Sequence, residues 1–353
     1  MDALLSGDLH AARHLSYYAQ LRGALSILAF SGIGIFNGLC FAIDANGRRS
    51  NLYSGRRSPG THVAAWQALE AWGDEPAQAA RFMNAIQFGG ASLFDSVQAI
   101  WPSSTAISLV SQIVDAWGVD LKSGVRDHDA RNISSYNPHQ LNPHTCSAVD
   151  AAEFVQHVWS VLEPVSGGDY VLLDRHLLRR LLQQVHQTVE PPGTPFSAGA
   201  IFARHANLAP RVAGLASRDF LSSVVEPDDL PLLAKAQVYS SGNAIGMISR
   251  AVLLLRVATG ITRSALKDAG FLLENDALGW LEATGVDRGF WPSGSASRPQ
   301  FAELWDDVAL ALDDLGRIIV QVPPDRHSMS ALLGMSSRYL GQCERAFMWG
   351  LGT

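Results

Sequence analysis

The segment YVLLDRHLLRRLLQQVHQTVE, Tyr170 to Glu190, decides the class of fold. Leu173, Leu177, Leu178, Leu181, Leu182, Val185 and Val189 return at helical spacing, which gathers them on one face and makes that face core. Arg175, His176, Arg179, Arg180, Gln183, Gln184 and His186 stand off this stripe. Helix signals continue on both sides. Ser147 with Asp150 forms a capping box ahead of AAEFVQHVWSVLE, Asp74 reads as the N-cap of EPAQAARFMNAIQF, and Ser103 or Ser104 as that of TAISLVSQIVDAWG. Gly73 and Gly118 read as stops, and Pro164 follows another helix end. The Pro-rich passage EPPGTPFSAG, Glu190 to Gly199, breaks the pattern near the middle of the chain. Beyond it, NAIGMISRAVLLLRVAT, Asn243 to Thr259, is a nearly all-apolar helix carrying Arg250 and Arg256. DALGWLEATG, QFAELWDDVALALDDLG and a last helix near SALLGMSSRYLGQCERAFMW follow. Only RIIVQV, Arg317 to Val322, reads as a strand. The expectation is a mainly α protein of helical bundles, two packed halves at 1–190 and 200–353.

The 353 residues, 47% hydrophobic and 17% charged, suffice for two domains with buried cores. A net charge of -6 argues against generic coating of nucleic acid, so any polyanion site has to be local. Cys40, Cys146 and Cys343 are odd in number and far apart, which fits neither a disulfide framework nor a zinc ribbon. With no evident cleavable signal, a cytoplasmic protein is expected. Ala24 to Ile43 is uncharged and about the length of a bilayer span, but it has no second span beside it, and a buried core helix is the reading preferred. No cofactor is expected. SGSAS at Ser293 to Ser297 lacks a Lys and a preceding strand, and GIGIFNG at Gly32 to Gly38 sits in an apolar run.

Reactive groups crowd into RDHDARNISSYNPHQLNPHTC, Arg126 to Cys146, which has no apolar period and reads as a turn-rich loop. Arg131, Asn132, Ser134, Ser135, Tyr136 and His139 offer a permanent cation, an amide, hydroxyls and an imidazole, a set suited to phosphate and proton transfer. With these residues in view, the chain resembles the HEPN proteins. These are helical bundles of toxins and antiviral defence systems, marked by an Arg followed after four to six residues by His, often with Asn directly after the Arg. Arg180-LLQQV-His186 and Arg179-RLLQQV-His186 have that spacing on a helix. Arg131-Asn132 has the Arg-Asn start and reaches His139 after seven intervening residues. Arg57-SPGT-His62 fits the count, but Pro59 and Gly60 oppose a helix there. The resemblance is confined to the N-terminal half. It implies metal-independent RNA cleavage at a site shared by two subunits, drawn from Arg131, Asn132, His139, Arg179, Arg180 and His186. In such a site an Arg stabilises charge developing on phosphorus and a His moves the proton.

An RNA partner also suits NGRRSNLYSGRRSPG, Asn46 to Gly60, where Arg48, Arg49, Arg56 and Arg57 surround Tyr53. Such a loop can neutralise phosphates and stack a base. Two other readings compete. Nine tryptophans and the arginines of the apolar helix fit a noncatalytic scaffold with a protein partner. Asp127, His128, Asp129, His139, His144 and Cys146 include every ligand type of a zinc or manganese hydrolase, without the His spacing of a metal-binding helix.

Overall fold

A computed structural model describes residues 1–54, 57–88, 91–102, 107–140, 146–164, 170–205, 218–225, 230–239, 243–271, 276, 278–290, 303–321 and 325–352. Among them the chain is mainly α, with eighteen helices. The first nine are α1 (Asp2–Leu5), α2 (Leu9–Phe30), α3 (Thr61–Gly73), α4 (Pro76–Ala85), α5 (Leu93–Ile100), α6 (Val110–Ala116), α7 (Gly124–Tyr136), α8 (Ala148–Val161) and α9 (Val171–Val189). After the Pro-rich passage come α10 (Ala198–His205), α11 (Arg218–Val225), α12 (Pro231–Ala236), α13 (Ala244–Asp268) and α14 (Leu278–Arg288). The last four are α15 (Glu303–Gln321), α16 (Arg326–Leu333), α17 (Met335–Gly341) and α18 (Glu344–Gly352).

Local chemistry sets several starts. Asp8 accepts from the Ala11 amide, Ser147 and Asp150 close their capping box, and Asn243 accepts from the Gly246 amide. Asp74 instead closes α3 and accepts a hydrogen bond from Ser111, which leaves Glu75 as the N-cap of α4 with Pro76 behind it. Ser103 and Ser104 lie outside the described residues.

Two further expectations are corrected. Ala24 to Ile43 is neither a span nor one core helix: α2 ends at Phe30, and the chain turns back as β1 (Ile33–Phe36) and β2 (Leu39–Ile43). These pair antiparallel with Phe36 opposite Leu39, and Asn37-Gly38 makes the turn, Gly38 at φ +75° where a side chain would be strained. A third strand, β3 (Arg49–Asn51), pairs with β2 after a turn in which the Asp44 carboxylate accepts from the amides of Asn46 and Arg48. A two-residue pairing joins β4 (Gln87–Phe88) to β5 (Ala91–Ser92). RIIVQV, expected as a strand, lies largely in the last turns of α15. Its β-branched residues continue the helical spacing of buried Leu304, Val308, Ala311 and Leu315 into half-buried Ile318 and Ile319.

Among the described residues the principal contact is α2 against α13, helped by Gln20, whose amide donates to the Met247 carbonyl at 2.9 Å. One apolar core runs from Leu4 to Met348, across the Pro-rich passage. Helix α13 is long and apolar enough to cross a membrane, and 83% of its most apolar stretch is buried by the protein itself. Arg250 and Arg256 on this helix face inward. Arg250 makes a two-pronged pair with Asp127 of α7, both bonds 2.7 Å, and Arg256 pairs the same way with Asp174 of α9 at 2.7 and 3.0 Å. All four side chains are buried. These pairs fix the register of α7 and α9 on α13, because a buried charge displaced from its partner is strongly disfavoured.

Candidate functional site

Three helices that pack on one another, α2, α3 and α7, bring together a cluster of imidazoles, phenols and one guanidinium. On α2, His14, Tyr17 and Tyr18 occupy positions i, i+3 and i+4 and so share a face. On α3, His62 lies in the first turn and Trp66 one turn later. Helix α7 supplies His128, Arg131, Asn132 and Ser135. The expected loop over Arg126 to Tyr136 is therefore a helix. Its buried positions Asp127, Ala130, Arg131 and Ser134 have helical spacing, but mostly polar side chains fill them.

The hydrogen bonds fix two tautomers. The Trp66 indole can only donate, and it donates to the Tyr17 hydroxyl at 3.2 Å. Tyr17 then donates its own proton to His62 Nδ1, 2.9 Å away, so neutral His62 carries its proton on Nε2. Burial pushes the Tyr17 phenol up to about 12, and it holds that proton throughout the neutral range. On α7, Arg131 Nη1 donates to Asn132 Oδ1 at 2.9 Å, which turns Asn132 Nδ2 toward His128 Nε2 at 3.3 Å. His128 accordingly carries its proton on Nδ1, 3.6 Å from Asp129. Arg131 Nη2 donates to the Tyr18 hydroxyl at 2.6 Å, leaving the Tyr18 proton available, and His14 Nδ1 sits 2.9 Å from Ser135 Oγ. The His62 and His128 rings lie 5.4 Å apart, Tyr17 stacks on His62 at 5.5 Å, and His14 and Tyr18 are 5.0 Å apart.

Arg131 is only 9% exposed, its Nε has no hydrogen-bond partner among the described residues, and neither does the buried Ser134 hydroxyl one turn on. A buried cation with a spare donor favours an anion. Burial lowers the pKa of all three imidazoles, and Arg131 lowers each further; His128 feeds into His62, while Asp129 partly opposes the effect at His128. With folded values below the ordinary 6.5, the unfolded chain binds more protons on acidification. The stability these groups allow is present above about pH 6.5 and is lost as pH falls through the folded values. Urea midpoints are expected to drop between pH 7 and pH 5, and to drop less in the double variant His62→Asn, His128→Asn. An equal drop in both proteins would assign the acid sensitivity elsewhere.

Of the residues expected from sequence, Arg131 and Asn132 are in this cluster and the others are not. His139 is exposed on the short turn Pro138–Gln140 beyond α7. On α9, Arg179 Nε donates to the Val225 carbonyl of α11, Arg180 is half-buried, and buried His186 packs edge-on to Trp101 and Phe196. Helix α9 packs on α5, α6, α8 and α11, whereas α7 packs on α2 and α3. Arg48, Arg49 and Arg57 are exposed, half-buried Tyr53 donates to Gln67 of α3, and Arg56 lies outside the described residues. No group of three His, Cys, Asp or Glu among the described residues could hold a metal ion. Asp127 is taken by Arg250, and His144 lies outside those residues. The sequence reading did not single out His14, Tyr17 or Tyr18, although HLSYY places them on one helical face. No protein-family model, curated protein or solved structure matches this chain.

Proposed function

We propose that the chain is a metal-independent, HEPN-like endoribonuclease whose site is the cluster around Arg131. The observation that carries this reading is a nine-tenths buried guanidinium with a spare N–H, close enough to three imidazoles to help lower the pKa of each. The ribose 2′-hydroxyl attacks the adjacent phosphorus, and its proton passes to an imidazole. His14 is suited to this in the tautomer whose Nδ1 donates to Ser135 Oγ, 2.9 Å away, because Nε2 is then an acceptor. Arg131 stabilises the charge growing on the phosphoryl oxygens. The departing 5′ oxygen takes a proton from the Tyr18 hydroxyl, and solvent restores it. The products are a 2′,3′-cyclic phosphate and a 5′-hydroxyl. The homodimer that the resemblance implies would bring two such clusters together.

Purified protein is expected to cut single-stranded RNA in excess chelator, with a rate that is flat above about pH 6.5 and falls below it as the acceptor imidazole protonates. His14→Ala is expected to remove that acid limb together with most of the rate. Cleavage that appears only on adding Mn²⁺ or Zn²⁺ would replace this reading with a metal-dependent one, and inertness toward every RNA offered would end it.

A further inference from the structure

We infer that the outer face of the β1–β2–β3 sheet is a platform on which unpaired bases of single-stranded RNA stack. Strand alternation puts Gly34, Phe36, Leu39, Phe41, Ile43 and Arg49 on one face, because Gly34 pairs with Phe41, Phe36 with Leu39 and Ile43 with Arg49. The opposite face carries Ile35 and Cys40, which are buried toward the protein. The outer face is aromatic and exposed: Phe36 shows 57% of its surface, and its ring lies nearly parallel to that of Phe41, 15° apart with centroids at 5.9 Å. Gly34 lets the Phe41 ring lie flat against the sheet, since a Cβ there would come within 2.6 Å of it. The Arg49 guanidinium stands 4.8 Å from the Phe41 centroid, and Arg48 and Arg57 are exposed close by in the chain.

Charge selects the occupant. From Ile33 to Arg57 the sequence has one carboxylate, Asp44, against Arg48, Arg49, Arg56 and Arg57, so this segment is net positive. In a chain of net charge -6, an aromatic pair flanked by arginines is complementary to a strand with stackable bases and phosphates. A duplex hides its base faces and gains only the phosphate contacts. The platform is tied through Tyr53 and Gln67 to α3, the helix that also carries His62 and Trp66. This inference rests on RNA being the substrate and concerns a surface separate from the acid–base cluster.

Fluorescence anisotropy of a dye-labelled short oligouridylate tests it, in an Arg131→Ala background so that the strand stays intact, with a duplex RNA of equal length as comparison and cleavage by the wild-type chain measured alongside. Phe36→Ala is expected to weaken oligouridylate binding roughly tenfold, with a much smaller effect on the duplex. Arg49→Glu is expected to weaken both and to flatten the salt dependence. Both positions are exposed, and circular dichroism checks that the variants fold. Oligouridylate binding with the expected losses supports the platform even if the wild-type chain cuts nothing, an outcome that removes only the catalytic reading. Cleavage by wild type with binding indifferent to Phe36 and Arg49 overturns the platform alone. Absence of oligouridylate binding overturns it too, as does a dimer in sedimentation that Phe36→Ala dissociates, since the face then belongs to a second copy.

Discussion

Asp127→Ala is expected to lower folding stability by about 3–5 kcal/mol, a large part of the roughly 5–15 kcal/mol that holds an ordinary domain folded. The carboxylate accepts from Arg250 Nε and Nη2 at 2.7 Å each, and both side chains are buried. Arg250 keeps its remaining contacts without the carboxylate: Nη1 donates to the carbonyls of Ala236 and Val238, and the guanidinium lies 4.2 Å from the Tyr239 ring centroid. None of these supplies a countercharge. The loss is therefore mainly the penalty of an unpaired buried charge. Asp127→Leu combined with Arg250→Met removes both charges and is expected to lie much nearer wild type than either single change. Urea unfolding of the four proteins measures the coupling. A single change that costs under about 1 kcal/mol would mean that the pair does not hold α7 to α13. His128 and Arg131 follow Asp127 on the same helix, so the pair that fixes α7 also sets where the proposed site stands.

Helices with an apolar stripe or a side-chain cap were legible in the sequence, because the forces that make them are local or periodic. Leu173 to Val185 on α9 is such a stripe, and Ser147 with Asp150 is such a cap. Helix α7 was illegible for the complementary reason. Its buried positions have the right spacing, but Asp127, Arg131 and Ser134 are compatible with burial only because Arg250, Tyr18 and Asn132 lie ready on other segments or next in the chain to meet the charged members. Hydrophobic periodicity cannot register a stripe made of polar side chains. The hairpin was misread in the opposite sense. Its uncharged apolar run outweighed Asn37-Gly38, although that dipeptide between apolar strands is a strong local turn signal. The site was half legible. Arg131 and Asn132 announce themselves as neighbours, whereas His14, Tyr17, Tyr18 and His62 reach them only through the packing of α2 and α3 on α7, which no spacing along the chain encodes.

Arg131→Ala is expected to slow RNA cleavage about 10²–10³-fold, the usual cost of removing a group that stabilises transition-state charge. The fold should survive, because the two hydrogen bonds lost run to Asn132 next door and to Tyr18, side chains that are only half-buried. Arg131→Lys keeps the charge but not the planar fork that meets Asn132, Tyr18 and a phosphoryl oxygen together, so little of the rate should return. A second readout separates a chemical role from a structural one. Arg131 is among the causes that lower His14, His62 and His128, while burial, the larger cause, remains in the variant. The acid limb of the residual activity should therefore move part of the way up toward 6.5 in Arg131→Ala and stay near its wild-type position in Arg131→Lys. A merely structural arginine would change stability and leave that limb where it was. Single-turnover rates across pH, with circular dichroism to confirm folding, decide the matter. Full activity in Arg131→Ala would remove the guanidinium from the reaction, and with it the proposed site.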